Sequence, residues 1–286
     1  MNRCLFHRAA AAVALMSPLL LTPAAAQPQQ ADDAGFVQFG GQRSAVPGAQ
    51  GLLSLQGSRG LLVNPTSGTL GQGQATVQYG VVLADQTAPN SDVTAHMLLG
   101  SYGVTDWLEL GVTHSSFEVR DLGEIQSVTG PTARVRVLEE DHWRPEVSVG
   151  GVYFDGDSTS DVFSRQEVYL AASKRFAFGE PGDGLVDAFR LHGGLRQIWR
   201  SDAPAEVIDT RGLVGYVGGE LHLPYDVLLI AEVNTQEDVL GPRTPWGYGV
   251  QWKPGGGVIG LSGGQVQSGS FSRPANYIGI AASWSF

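Results

Sequence analysis

The sequence predicts an all-β fold, a transmembrane antiparallel β-barrel of about 12 strands preceded by a cleaved signal peptide. Three observations predict it. A short apolar run near the start ends in small residues. Beyond about residue 70, apolar side chains recur at every second position. The chain then closes on an alternating strand that stops at Phe286.

Residues 1–26 read as the signal peptide. Arg3 and Arg8 form a positive start, Ala9 to Leu21 is apolar, and Ala24-Ala25-Ala26 supplies the cleavage site, with Gln27 as the new N-terminus. The apolar run falls short of the roughly 20 residues that a membrane-spanning helix needs. The one cysteine, Cys4, goes with the signal, so disulfides, zinc–thiolate sites and cysteine nucleophiles are excluded from the mature chain. Losing Arg3 and Arg8 takes the net charge from −10 to −12 and leaves Lys174 and Lys253 as the only lysines. Nucleic acid is therefore not an expected partner, because phosphate binding needs clustered basic residues. The 39 glycines argue against helices, since each one inside a helix costs about 1 kcal/mol relative to alanine.

Residues 27–50 are rich in Gln, Asp, Ala, Gly and Pro and read as a flexible lead-in, with the barrel over 51–286. The first strand turns Ala75, Val77, Tyr79 and Val81 outward, against Gln74, Thr76 and Gln78. In the next, Val93, Ala95, Met97 and Leu99 form the apolar set opposite Thr94 and His96. Leu108, Leu110 and Val112 alternate with Glu109, Gly111 and Thr113. Ala133, Val135 and Val137 oppose Arg134 and Arg136, and Val147 and Val149 oppose Glu146 and Ser148. Phe189, Leu191, Gly193 and Leu195 oppose Arg190, His192, Gly194 and Arg196. The period is 2, which belongs to strands with one apolar face. Links are expected at Asn90-Ser91, Asp155-Gly156-Asp157, residues 179–183 and Lys253-Pro254-Gly255; the glycine-rich stretch from Gly255 to Gly264 is ambiguous. Tyr79, Tyr102, Trp107, Trp199, Tyr225, Trp246 and Trp252 recur near segment ends, as interfacial girdles require.

A soluble sheet would bury its apolar set, whereas a barrel in an outer membrane turns it to lipid. The closing segment favours the membrane: Ile278, Ile280, Ala282, Trp284 and Phe286 alternate with small residues. Ile280, Trp284 and Phe286 form the expected signal to the barrel assembly machinery. With the apolar set outside, the ionisable residues Glu109, Arg134, Arg136, Glu167, Arg190, His192, Arg196, Glu220 and Glu232 fall on the inner face. Two readings stay open for them. They line a conducting lumen that sorts solutes or guides an acidic polymer, or they fill a plugged interior as Arg–Glu pairs.

Four stretches resemble the YjbH-like outer-membrane proteins: Gly60-Leu61-Leu62-Val63-Asn64-Pro65-Thr66-Ser67-Gly68 with the strand that follows, Tyr102 to Gly111, Pro145 to Gly150, and Glu167-Val168-Tyr169-Leu170-Ala171-Ala172-Ser173-Lys174-Arg175-Phe176. They occur in order between about residues 51 and 176. The resemblance implies a non-enzymatic barrel that assists export or surface attachment of extracellular polysaccharide. Its partners would be outer-membrane lipid, other export components and an acidic polysaccharide. No cofactor or metal is expected. The chain is shorter than the long family members and would carry one barrel where they carry more.

Other chemistry has weaker support. A general porin is the alternative function, and a lipid-modifying enzyme is a more distant one. His114 with Ser115 or Ser116 suggests a base and nucleophile; Ser115, adjacent on the strand, points to the opposite face, Ser116 could share the face of His114, and no orienting carboxylate or oxyanion hole is legible for either. The acidic residues from Asp155 to Asp161, like Asp202, Glu206 and Asp209, read as surface loop rather than a calcium site, since no closing glutamate completes the pattern. The glycines around His192-Gly193-Gly194 and from Gly215 to Gly219 read as relief of strand crowding, because no helix follows them to bind phosphate.

Overall fold

The computed structural model describes residues 60–286 apart from 63, 87–92, 120–123, 158–161, 179–184, 203–209, 236–243, 255–256 and 267–274. The signal peptide and lead-in lie outside the described residues, as do the links at Asn90-Ser91 and 179–183. Twelve strands follow one another in chain order: β1 (Ala75–Gln86), β2 (Val93–Thr105), β3 (Leu108–Val119), β4 (Glu124–Leu138), β5 (Glu146–Asp157), β6 (Val162–Ala177), β7 (Ala188–Asp202), β8 (Thr210–Leu223), β9 (Val227–Asn234), β10 (Trp246–Trp252), β11 (Gly257–Val266) and β12 (Ala275–Ser285). Each pairs antiparallel with its neighbours in sequence, and β12 pairs back onto β1, so the sheet is a closed barrel. Closure follows from the solvent. Hydrocarbon offers an unpaired N–H or C=O nothing to bond, so a spanning sheet cannot keep an edge.

Alternation then decides what faces where. Val77, Leu110, Val112, Leu170, Leu195 and Ile280 are between 43 and 54% exposed, while the interleaved Gln78, Thr113, Glu167 and Arg196 are all but completely buried. Apolar groups outside and polar groups inside invert a soluble protein's layout and make this a barrel of the outer-membrane type. Aromatic residues mark one rim: Trp107, Trp143, Tyr225, Trp252 and Trp284 are all exposed near the end where β1 begins and β12 finishes. The register slips at Gly103/Thr105 and at Arg136/Leu138. Both irregularities lie at that same rim, where bulges bend strands at little cost.

The structure corrects two expectations. Val93, Ala95, Met97 and Leu99 point into the barrel, where Ala95, Met97 and Leu99 pack with Val82 and Tyr277. Register is the reason: β1 pairs Gln78 with Leu99, and partners across a ladder share a face. The run Met97-Leu98-Leu99 is apolar on both faces, so the alternation there names neither. Asp155-Gly156-Asp157 is also no link, because it forms the end of β5. The ambiguous glycine-rich stretch becomes β11 from Gly257 onward.

At the closing seam Phe286 N–H donates to Ala75 C=O at 2.9 Å, and Ala75 N–H donates back to Phe286 C=O at 3.2 Å. Ile278, Ile280, Trp284 and Phe286 are all outward, whereas the Ser285 hydroxyl meets that of Thr76 at 2.9 Å. Removing Phe286 is expected to abolish most membrane insertion and expose the chain to proteolysis. Ser285→Ala should cost only about 0.5–1.5 kcal/mol. The heat-modifiable folded band in detergent gels reports both, and equal tolerance of the two changes would refute the role of Phe286.

Candidate functional site

A charge turned into a closed lumen must find a partner there, because burying it alone costs far more than one hydrogen bond returns. The structure places all nine ionisable residues assigned to the inner face inside the barrel. Glu109, Arg134, Glu167, His192, Arg196 and Glu232 are at most 5% exposed. Arg136, Arg190 and Glu220 keep a little more exposure toward the rim. Arg196 grips Glu167 through two parallel bonds, Nε to Oε1 at 2.8 Å and Nη2 to Oε2 at 3.0 Å, and Arg165 adds a third at 3.0 Å. Arg136 and Arg190 lie 3.7 and 3.6 Å from Glu146. Glu220 sits between His192 at 3.4 Å and His222 at 3.5 Å.

These pairs leave donors and acceptors over, and a piece of the chain's own backbone takes them. The stretch 60–70 has no place in the wall. It runs inside the barrel, with Leu61, Asn64, Ser67 and Leu70 fully enclosed. Followed back from β1, it meets the strands nearly in the order of the wall. Gln72 N–H donates to Asp106 Oδ1 at 3.0 Å, and Leu70 N–H donates to Glu109 Oε2 on β3 at 2.9 Å. The Arg134 guanidinium on β4 donates to Gly68 C=O and, through Nε, to the Tyr169 hydroxyl at 3.0 Å. Ser67 is held at three atoms. Its hydroxyl donates to Glu146 at 2.7 Å, its N–H donates to Ser173 Oγ at 3.3 Å, and its C=O accepts from Ser148. The Tyr216 hydroxyl on β8 donates to Pro65 C=O at 2.7 Å. Asn64 links two carboxylate systems: it accepts from Arg196 at 2.8 Å and donates from Nδ2 to Glu232 on β9 at 2.9 Å.

Local sequence explains why this stretch is irregular. Asn64-Pro65-Thr66-Ser67-Gly68 is turn chemistry and breaks the alternation of two. Leu61 N–H bonds Asn64 C=O at 2.8 Å, and a side chain at Gly60 would collide with that carbonyl at 1.9 Å. At the far end Leu61 and Leu62 pack with Ile230. A Cβ at Gly218 would strike Leu61 at 2.4 Å, so this glycine makes room for the inserted stretch. The glycine at 194 gives room to Tyr216, whose ring lies 2.6 Å from where its Cβ would stand.

Sequence reasoning missed Asn64, Ser67, Tyr169, Ser173 and Tyr216 as parts of this site. One signal was present: Leu61-Leu62 and Leu70 are apolar but belong to no strand, and beside a barrel such residues need cover. The four stretches that carry the family resemblance meet here. The first is the inserted stretch; the second supplies Asp106 and Glu109, the third Glu146 and Ser148, and the fourth Glu167, Tyr169 and Ser173.

The other candidates lie elsewhere. His114 faces outward with Nδ1 2.7 Å from Thr129 Oγ1, while Ser115 points inward, so they do not meet. Asp155 and Asp157 belong to β5, Asp202 ends β7, and Glu206 and Asp209 fall outside the described residues. Among the described residues no group of three His, Asp or Glu side chains is arranged to hold a metal ion. At the rim, beyond β10, burial pushes the Lys253 ammonium down to about 8 against the opposing pull of Glu220 and Asp226.

No family model and no curated protein matches the chain. Among solved structures the barrel is similar to the KdgM porin in complex with disordered oligogalacturonate, at 11% identity and a TM-score of 0.48, covering 74% of this chain and 99% of that one. It is also similar to the translocator domain of autotransporter NalP from Neisseria meningitidis, at 12% identity and a TM-score of 0.44, covering 76% and 89%. The NanC porin gives 11% identity and a TM-score of 0.41, covering 73% and 98%. The likeness is one of fold.

Two outcomes follow from the site. Arg196→Met leaves the Glu167 carboxylate to Arg165 alone and the Asn64 oxygen without its donor, and should cost up to about 3–5 kcal/mol, and the double change with Glu167→Met should recover part of it. Unfolding in detergent measures both; a single change as mild as the double would sink the pairing. Lys253 holds its proton more weakly folded than at its ordinary 10.5, so its contribution to stability should rise as pH climbs through about 8 toward 10.5. Lys253→Met should remove that increment from the pH dependence of the unfolding temperature.

Proposed function

We propose that this protein is a non-enzymatic outer-membrane barrel that assists export or surface attachment of an extracellular polysaccharide, with residues 60–70 keeping its lumen shut at rest. One observation carries the reading. The stretches that resemble the YjbH-like proteins, separate in sequence, form a single device in space: an inserted strip and the wall side chains that hold it. A resemblance that collects at one internal site points to a shared working part rather than to barrel patterning alone.

A general porin needs a standing aqueous path. Here the path is crossed by backbone bonded to charged side chains, and each such bond contributes roughly 1.5–3 kcal/mol. Opening therefore requires something that offers those groups new partners, as a polymer or another export component would. The lumen arginines are already committed, Arg196 to Glu167 and Asn64 and Arg134 to Gly68 and Tyr169. An acidic polymer would have to compete for them.

In planar bilayers the unaltered protein should stay closed, and Asn64→Ala combined with Ser67→Ala should raise conductance by releasing the inserted stretch. Steady open conductance from the unaltered protein would favour the porin reading instead. Deleting the gene should lower surface or secreted polysaccharide and leave outer-membrane lipid composition unchanged. Normal polysaccharide in a deletion strain, under conditions where the parent expresses the protein, rejects the export role, and altered lipids would point to an enzyme.

A further inference from the structure

Residues 60–70 open with a hairpin whose bend lies at the deep end of the inserted stretch. Gly60 pairs antiparallel with Pro65, and Leu61 N–H donates to Asn64 C=O at 2.8 Å, so the chain reverses between them. The backbone after Pro65 runs to Ala75 at the rim where β1 begins, and two bonds with Phe286 fix Ala75 there. An antiparallel partner runs the other way, so the backbone arrives at Gly60 heading inward from this same mouth. The mouth carries the tightest connections, Asp106-Trp107 between β2 and β3 and Pro224-Tyr225-Asp226 between β8 and β9. Short turns mark the periplasmic end of such barrels.

The bend and the arm behind it are held differently. The bend is apolar: Leu61 packs with Ile230, and Leu62 lies against Gly247 and Gly249 on β10. The polar bonds are spaced along the arm that leads to β1. From the bend outward they join Asn64 to Arg196 and Glu232, Pro65 to Tyr216, Ser67 to Glu146, Gly68 to Arg134, Leu70 to Glu109 and Gln72 to Asp106. A force on Gly60 directed out of the periplasmic mouth therefore meets them in series. It loads Asn64 first and reaches Leu70 only after the bonds before it have parted. Force from the opposite mouth would load the whole arm in shear, and all the bonds would resist together. Each bond is modest alone, so serial loading opens what parallel loading would hold.

We propose that the barrel is opened from the periplasm by tension on the chain preceding Gly60, which peels residues 60–70 off the wall from the bend outward. The inference deepens the reading of a lumen shut at rest, rests on it, and names how the lock is worked. A periplasmic export component that binds the chain ahead of Gly60 and draws it outward supplies the pull. The wall does not have to open, because the stretch leaves by the mouth through which it entered. Each step frees one or two groups at a time, and water or an incoming polymer hydroxyl can bond them before the next step. The glycines at 247 and 249 suit the first step. They hold Leu62 by contact alone, so the bend lifts without breaking a hydrogen bond at that point.

Single-molecule pulling on the N-terminus of the full mature barrel, inserted in a bilayer, measures the order of release. A ladder of small ruptures should precede extraction of the first strand. Asn64→Ala should speed the first rupture at fixed force roughly tenfold, as loss of a charge-assisted hydrogen bond does, and Asp106→Ala should change only the last. A lock supplies the second measurement. The Leu62 Cβ lies 3.6 Å from where a Cβ at Gly247 would stand, within disulfide range, and the chain's one cysteine is Cys4 in the predicted signal peptide. Leu62→Cys with Gly247→Cys should erase the ladder when oxidised and restore it when reduced. A single large rupture eased equally by Asn64→Ala and Asp106→Ala, or no rupture before strand extraction, would overturn the proposal. In cells, a chain lacking residues 31–58 keeps the lock without the part that is pulled, so it should insert normally yet lower polysaccharide as far as gene deletion does. Normal polysaccharide from that chain, where gene deletion lowers it, would also overturn the proposal and leave the export role standing. If the ladder appears and the gene-deletion strain keeps its polysaccharide, the export role falls and the peeling stands.

Discussion

Backbone closure is the constraint on which everything else here depends. Lipid cannot bond a bare strand edge, so β12 must return to β1, and once the ring is closed the parity of each strand is locked to its neighbours through register. That lock carries Arg134, Glu167 and Arg196 into the lumen, and it also carries Met97 and Leu99 there although they are apolar. Every inward residue then has to be satisfied by other inward residues or by whatever the barrel contains.

The charged arc meets this demand with material from its own chain. Arg196 and Glu167 neutralise each other, yet Asn64 still accepts from that guanidinium and donates to Glu232. Ser67 repeats the arrangement between Glu146, Ser148 and Ser173. The inserted stretch is thus bound mostly by polar contacts to partly neutralised charges. Such a lock differs from an apolar core, because a competing hydrogen-bonding ligand can take over its contacts one by one. This is the physical basis of the proposal that the barrel rests closed and opens on demand.

The strands β10, β11, β12, β1 and β2 contain no lysine, arginine or glutamate and form an uncharged arc with another logic. Val82, Ala95, Met97 and Leu99 pack there with Tyr277, and the Thr76 and Ser285 hydroxyls meet each other. The hydrogen bonds that hold residues 60–70 to the wall strands therefore come from the charged arc.

Much of the barrel was legible in the sequence because strand period and lipid solvation are local. The pattern Leu108-Glu109-Leu110 or Val135-Arg136-Val137 assigns its own faces, and the twelve-strand count follows from such segments and their turns. Where both faces are apolar, as at Met97-Leu98-Leu99, only pairing with β1 could choose. The inserted stretch lay further out of reach. Asn64, Ser67 and Glu232 lie on well-separated parts of the chain, and no local period relates them. Their contacts exist because the closed wall brings β3 through β9 around one short strip of backbone. The division of the lumen into charged and neutral arcs is likewise a property of the ring: it appears only once β12 has joined β1 and made the two ends of the chain neighbours. The sequence determined which residues face inward along most strands, through the physics of alternation, and tertiary closure decided which of them meet.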